Sequence, residues 1–269
     1  MVTLLIAAAL AKLSVPFSTA IEPALPDADP AIWVVNDEDT VIYLFGTFHA
    51  LDGKAEWFND EVMTAFVESD ELVLETMVPT ADARSNSGNA PAAQRRQARR
   101  IPVAPSASFL ASTRMAVSAG RSRGMQFEKG ADSVLRKAAE AAGKPVDGLE
   151  SFEQQVTMLE RMPASAPTSP AQNVRAIVTL PKVMSWMQAA WNRGDQSAFD
   201  TMVEQLRLSS PQTYRTMFTE RNANWADWIA ARLQKPGTVF VAVGAGHLAG
   251  SDSVQAKLAQ RHIRTERIN

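Results

Sequence analysis

The chain has 269 residues, of which 46% are hydrophobic and 21% charged, as is typical of a globular domain with a substantial buried core. Its 27 basic and 29 acidic side chains nearly cancel, which excludes a general electrostatic attraction to nucleic acid. There is no cysteine, so disulfides, thiolate metal sites and cysteine nucleophiles are excluded, and a metal would need histidine, carboxylate, amide or water ligands.

The N-terminal segment, residues 1–20, resembles an export signal. An apolar run over residues 2–11 is too short to span a membrane, and Ser18 and Ala20 frame a triplet typical of a cleavage site. No basic residue precedes the apolar run. We expect a periplasmic or secreted protein whose mature chain has no stable membrane span. If the segment is instead a buried or frayed helix, a cytoplasmic protein is expected.

A hairpin, a helix and a strand are predicted after this segment. Two apolar runs, 31–35 and 40–45, are separated by four polar residues, which is typical of an antiparallel hairpin. A helix is expected to begin at Asn59, whose side chain would cap its first turn. Residues 71–76 then predict a short buried strand that ends near Glu75.

The composition changes at residue 79, where Asn, Ser, Ala, Pro and Gln begin to dominate. A basic stretch at 94–100 could bind an anionic partner. It has no interleaved aromatic residues, however, so a solvated linker or a polar helix face is the better interpretation. We expect a flexible insertion near 79–121 within a single domain that covers residues 21–269.

A second helix and strand are predicted after the insertion. Residues 132–142 have helical spacing, and Gly143 follows at a position where a left-handed backbone often ends a helix. Residues 145–150 predict a short strand that ends on Glu150.

A large central helical segment is predicted over residues 152–233, with Asp195 capping one of its helices. Breaks are expected at Pro163, Pro170 and Pro181. The clearest strand of the chain covers residues 238–243, and a helix at 254–260 and a strand at 263–268 follow it. Because strands lie at both ends and helices between them, the sequence predicts an α/β fold with a mixed sheet flanked by helices.

Two of the three histidines lie three residues after a glycine, each where a predicted strand ends. Gly46 precedes His49, and Gly244 precedes His247, with Gly246 inside the second motif. Glycine lets the backbone turn sharply, and ligands collect at the carboxyl ends of parallel strands. We therefore expect the two Gly-x-x-His motifs to meet at one edge of the sheet.

Two carboxylates share this setting, because Glu75 and Glu150 also end predicted strands. Two imidazoles with one or two carboxylates suit a divalent transition metal, which would activate a water molecule. The same groups suit metal-free acid–base chemistry with His49 as the base. Each histidine could instead be a loop-packing or capping residue, and Glu150 could simply favour the start of the next helix.

Several segments resemble the TraB/GumN family, which is related to the Tiki proteases. Residues 42–49 and 72–75 resemble the opening of the family's sequence. Its later landmarks resemble, in the same order, residues 148–150, 191–195, 220–222 and 243–248. The resemblance implies an α/β fold shared with erythromycin-esterase-like and haem-uptake (ChaN-like) proteins. Residues 79–121 match the family poorly.

The resemblance also implies roles for individual side chains. In the Tiki branch, the two Gly-x-x-His motifs and a glutamate support metal-dependent peptidase activity with manganese or cobalt; zinc is a further candidate here. The candidate ligands or catalytic groups are His49, Glu75 and His247. Arg221 becomes a candidate for stabilising an oxyanion, with a structural salt bridge as an equal alternative. Apart from the resemblance, the hypothesis of a metal-dependent hydrolase assigns proton transfer to Glu150 or Glu220.

Three functional hypotheses follow. The first is a metal-dependent hydrolase that acts on peptide or amide bonds. The second is a metal-free, esterase-like hydrolase with His49 as general base. The third is a non-enzymatic regulatory protein that captures a ligand such as haem or a peptide. All three predict a peptide or small-molecule partner and none predicts nucleic acid.

Overall fold

The computed structural model describes residues 25–77, 107–162 and 170–269. The predicted export signal and most of the predicted insertion lie outside these residues. The strands are β1 (Ile32–Asn36), β2 (Thr40–Thr47), β3 (Glu71–Thr76), β4 (Val146–Glu150), β5 (Gly237–Gly244) and β6 (Glu266–Arg267). The α-helices are α1 (Asp60–Glu68), α2 (Ala107–Arg121), α3 (Ala131–Ala141), α4 (Phe152–Glu160), α5 (Pro170–Trp191), α6 (Ser197–Ser209), α7 (Pro211–Tyr214), α8 (Glu220–Arg232) and α9 (Val254–Ala259). A π-helical turn, Arg215–Thr219, joins α7 to α8.

The strands form one mixed sheet in the order β4-β3-β5-β2-β1-β6. The hairpin partner β1 is antiparallel to β2 and β6, whereas β2, β5, β3 and β4 are mutually parallel. The fold class and the hairpin predicted from the sequence are therefore confirmed. Because four strands run in the same direction, their carboxyl ends lie along one edge of the sheet, as the site prediction required.

The sheet is buried on both faces, which explains why its central strands are almost wholly apolar. Side chains alternate between the faces along each strand. One hydrophobic cluster includes Phe45, Leu72 and Phe240, and the other includes Leu44 and Val241. Helices on the two faces complete these clusters, so the strand ends are held by rigid packing on either side.

Four local predictions need correction. Pro181 lies inside α5, which continues to the buried Trp191 despite the hydrogen bond that proline cannot donate. Helix α2 packs against α5 and occupies the last 15 residues of the predicted flexible insertion, so that part of the prediction is wrong. Asn59 lies at the N-cap of α1, but its side chain donates to Asp27 instead. The final predicted strand is reduced to the two residues of β6.

No helix in the described ranges is both long enough and apolar enough to cross a membrane.

Candidate active site at the strand ends

The two Gly-x-x-His motifs lie side by side because β2 and β5 pair in parallel, with Gly46 opposite Val243 and Thr47 opposite Gly244. The close approach requires a glycine in the first motif. A Cβ atom on Gly46 would lie 3.2 Å from the Cα atom of Ala245, so a side chain there would push the two turns apart. The structure therefore brings the predicted motifs together through backbone packing.

His49 is held by a carboxylate from a different part of the chain. Its Nδ1 atom donates to the Oδ2 atom of Asp132 over 2.7 Å, and the hydroxyl of Thr47 donates to Oδ1 of the same carboxylate over 2.7 Å. The charge of Asp132 raises the pKa of His49 to about 9, although partial desolvation of the ring opposes this. The His49 side chain remains 59% exposed, so its other ring nitrogen is open to a ligand.

Gly244 forms the floor of a small space between His49 and Glu75. A Cβ atom on Gly244 would lie 3.2 Å from Nε2 of His49 and 3.6 Å from Oε2 of Glu75. The backbone N–H of Gly244 donates to that same carboxylate oxygen over 3.3 Å. Two atoms with metal-binding chemistry thus converge over a residue that has no side chain.

Arg221 provides the buried positive charge of the site. Its Nε atom donates to Oε1 of Glu150 over 2.7 Å, and its Nη2 atom donates to Oε2 of Glu150 over 2.9 Å and to Glu75. The guanidinium also lies 4.7 Å from the centre of the Trp225 ring. Such a bidentate pair fixes both partners. The structural salt bridge that was the alternative role for Arg221 is therefore present, and the same guanidinium also holds Glu75 in place.

His247 has surroundings opposite to those of His49, since it is only 5% exposed. The amide nitrogen of Asn222 donates to the carbonyl of Asp252 over 2.7 Å, so its Oδ1 atom is the acceptor that faces Nδ1 of His247 at 2.6 Å. The proton of the neutral ring must then be on Nδ1, and the Nε2 lone pair faces Nη1 of Arg221 at 3.2 Å. Burial lowers the pKa of His247 to about 3.

Glu75 is ionised despite its burial. Burial alone would raise its pKa, but His247, Arg221 and His49 together lower it to about 2. Because His247 is itself neutral near pH 7, Arg221 and His49 are the cations that hold the carboxylate at that pH. Glu75 thus lies between a permanent cation and a titratable one.

The charges of the site leave room for a divalent cation. The site holds three carboxylates and one guanidinium: Glu75 and Glu150 pair with Arg221, whereas Asp132 pairs with His49. Protonated His49 offsets one of the two remaining negative charges, and a divalent ion that displaced this proton would offset both. The donor types therefore fit a metal at His49 and Glu75.

His247 fits a metal less directly. Its Nε2 atom is 3.9 Å from Oε2 of Glu75, but the guanidinium of Arg221 lies against the same nitrogen. As the side chains stand, no group of three or more His, Asp or Glu residues within the described ranges is arranged to hold an ion. His247 could complete a three-ligand set only if Arg221 moved aside.

Glu220 is the one predicted site residue that the structure places apart from the others. Its side chain is 54% exposed and accepts from Nε of Arg215 over 2.8 Å. It lies on the wall of a cleft of about 590 Å³ between α4 and the segment 211–224, and the floor of this cleft includes Glu150 and Arg221. Glu220 can therefore contact a molecule in the cleft, and its ion pair is with Arg215 rather than with either histidine.

Comparison with known proteins identifies the family. The sequence model of the TraB/PrgY/gumN family matches residues 31–267.

The chain belongs to the TraB/PrgY/gumN family.

Two similar curated proteins are those called "Uncharacterized protein YbaP" in Escherichia coli (strain K12) and Shigella flexneri. Each is 29% identical to this chain over 135 residues, which is 50% of this chain and 50% of the relative. The matched region thus spans about half the length of these curated relatives. No solved structure matches the chain.

The segments that resemble the TraB/PrgY/gumN family surround this edge of the sheet. Trp191, from the segment 191–195, donates its indole N–H to the carbonyl of Gly46 over 2.7 Å and so supports the first motif. Gly246 of the second motif packs against the ring of Phe218, since a Cβ atom there would lie 3.1 Å from it. Trp225 donates to Oε1 of Glu150 over 3.0 Å. These segments position the site from several helices.

Sequence reasoning missed the two residues that orient the histidines. Asp132 looks like an acidic residue that favours the first turn of α3. Asn222 lies in the segment 220–222 that resembles the family, but the sequence assigned it no role of its own. A useful signal was available for Asp132, because a motif histidine with one free nitrogen requires a partner for the other.

Proposed function

We propose that this protein is a metal-dependent hydrolase that acts on peptide or amide bonds, with a divalent ion held by His49 and Glu75. The observation that carries the proposal is the convergence of Nε2 of His49 and Oε2 of Glu75 over Gly244. His247 would be the third ligand after a shift of Arg221. Manganese and cobalt are the first candidate ions, and zinc is the next.

The surrounding residues support this role by their charge and rigidity. Glu75 keeps its negative charge at neutral pH because Arg221 and His49 stabilise the ionised form. Asp132 holds the far side of the His49 ring, as a carboxylate does for many metal-binding histidines. A divalent ion would supply Lewis acidity, which makes water more acidic and polarises a carbonyl group.

The cleft beside Glu150 and Arg221 offers a place for the substrate. Its floor contains Glu150 and Arg221, and its walls carry side chains that can bind an amide chain through hydrogen bonds, among them Thr157, Thr216 and Asn224. A volume of about 590 Å³ is within the usual range for a small-molecule or short peptide site. His49, Glu75 and His247 do not line the cleft, so a substrate bound there would reach them past Arg221, which pairs with Glu75.

A metal-free hydrolase is the second candidate, and one observation favours it. The guanidinium of Arg221 already lies where it neutralises Glu75 and contacts His247, which is a place a metal would otherwise take. His49 and Asp132 then form an acid–base pair with an exposed ring nitrogen. Arg221 could stabilise negative charge that develops on a carbonyl oxygen.

Metal content and chelation distinguish these candidates. The chain from residue 21 would be loaded with manganese, cobalt or zinc, and bound ions would be counted by mass spectrometry. We expect about one ion per chain in the wild type and loss of the ion in His49→Ala and Glu75→Gln. His262→Asn is the matched control, because His262 is an exposed histidine with a φ of 60° that asparagine tolerates.

A hydrolysis screen against fluorogenic peptides and amides would follow, with and without a chelator. Activity that chelation abolishes and added metal restores would support the metal-dependent hydrolase. Activity that survives chelation would replace it with the metal-free candidate. A folded wild type that binds haem or a peptide stoichiometrically, with no ion and no product, would leave ligand capture as the function.

A further inference from the structure

The two motif histidines are held by different kinds of partner. His247 donates to a neutral amide, Asn222, in a buried setting, whereas His49 donates to an ionised carboxylate, Asp132, near the surface. Asp132 is 83 positions from His49 and belongs to the first turn of α3. The partner of the exposed histidine is therefore supplied by a separate element of the fold.

Both oxygens of Asp132 are used by the first motif. Oδ2 accepts from His49, and Oδ1 accepts from the hydroxyl of Thr47, which is the residue directly after Gly46. Thr47 is only 2% exposed and lies at the end of β2, so its position is set by the sheet. A backbone bond of 3.0 Å from Ala131 N–H to the carbonyl of Phe48 joins α3 to the same turn.

We propose that Asp132 is a positioning residue for His49 and that Thr47 is its anchor. The carboxylate cannot donate, so it keeps a proton on Nδ1 of His49. With that hydrogen bond in place, the ring turns its Nε2 atom toward Gly244 and Glu75. The hydroxyl of Thr47 stops the carboxylate from rotating away. The first motif thus works as Gly-Thr-x-His together with an aspartate from α3.

The inference rests on the proposed function only in taking His49 as the histidine that binds the metal or acts as the base. Its first test needs no metal. The protein would be labelled with ¹⁵N in its histidine rings, of which the chain has three. The His49 signals would be assigned by their loss in His49→Gln. In the wild type we expect the Nδ1–H proton of His49 to be visible and protected from exchange with water. In Asp132→Ala and Thr47→Val it should exchange at least tenfold faster, whereas Thr47→Ser, which keeps the hydroxyl, should behave like the wild type.

Metal binding gives the second readout. Loss of such a supporting hydrogen bond typically weakens metal affinity by about 10–100-fold. We expect this loss for cobalt in Asp132→Ala and a smaller loss in Thr47→Val. Asp227→Asn is the control, because Asp227 forms an exposed ion pair with Arg261. Thr47→Val keeps the shape of the side chain, so it tests the inference even if Asp132→Ala fails to fold.

The outcomes separate this inference from the proposed function. An Nδ1–H proton that stays protected in both variants would overturn the positioning role, whatever the metal content. Faster exchange with unchanged cobalt affinity would also overturn it, since the ring would not need Asp132 to bind. If the wild type binds no metal but both variants expose the proton, the positioning role stands and the metal-dependent function fails.

Discussion

Gly244→Ala should separate function from stability. Gly244 has φ −52° and ψ 133°, which alanine adopts without strain. The added methyl would lie 3.2 Å from Nε2 and 3.6 Å from Cε1 of His49, and 3.6 Å from Oε2 of Glu75. Only the first of these contacts is tight, and the exposed His49 ring can move by a few tenths of an ångström. Loss of glycine's freedom in the unfolded chain stabilises by about 0.4–1 kcal/mol, so the net change in unfolding free energy should stay within about 1 kcal/mol.

The same methyl should weaken metal binding strongly. An ion bound by His49 would lie about 2.0–2.1 Å from its Nε2 atom. The methyl of Gly244→Ala would contact both Nε2 of His49 and Oε2 of Glu75, so it would occupy the space in which the two side chains could share an ion. We expect cobalt affinity, measured by titration calorimetry, to fall at least tenfold while the urea unfolding curve barely moves.

Gly143→Ala is the mirror control for this experiment. Gly143 has a φ of +64° and open space around it, so alanine there should lose about 1 kcal/mol of stability. Its cobalt affinity should equal that of the wild type. Unchanged cobalt affinity in Gly244→Ala, in a protein that folds normally, would refute the placement of the ion between His49 and Glu75.

Three further predictions concern charge. Arg221→Met should destabilise the protein by about 3–5 kcal/mol in urea unfolding, because it leaves buried carboxylates uncompensated, whereas the exposed Arg215→Met should cost less than about 1 kcal/mol. Since the pKa of Glu75 is lowered to about 2, its contribution to stability is complete above its ordinary value of 4.5 and declines as the pH falls toward 2. The unfolding free energy, measured by urea unfolding between these pH values, should therefore depend less on pH in Glu75→Gln than in the wild type. Since the pKa of His49 is raised to about 9, one proton must leave on metal binding, and cobalt affinity should rise roughly tenfold per pH unit up to about pH 9; affinity that does not change with pH would contradict His49 as a ligand.

The sequence predicted those parts of the fold that depend on local periodicity. The parallel core strands, the helix that ends at Gly143 and the meeting of the two motifs all follow from apolar spacing and from turns next to glycine. The prediction of a helix break at Pro181 was wrong, because packing of the surrounding helix outweighs one missing hydrogen bond.

The partners within the site could not be predicted in the same way. Asp132 meets His49 across 83 positions, and Arg221 meets Glu75 across 146. Such pairs depend on where separate elements dock, and no spacing along the chain encodes that. The repeated motif indicated which two histidines lie together at the strand ends, whereas the opposite shifts of their pKa values depend on burial and on neighbouring charge.

The π-helical turn Arg215–Thr219 sets the rotational phase of everything that follows it in α8. Each residue advances a helix by about 100°, so the extra residue of a π turn rotates the next segment by that angle relative to an uninterrupted helix. With this rotation, the side chains of Arg221 and Trp225 reach Glu150. Removal of one residue from the turn would leave a regular helix, but both side chains would be turned away from Glu150. A one-residue gap at this turn would therefore mark relatives in which the fold is kept and this charge network is not.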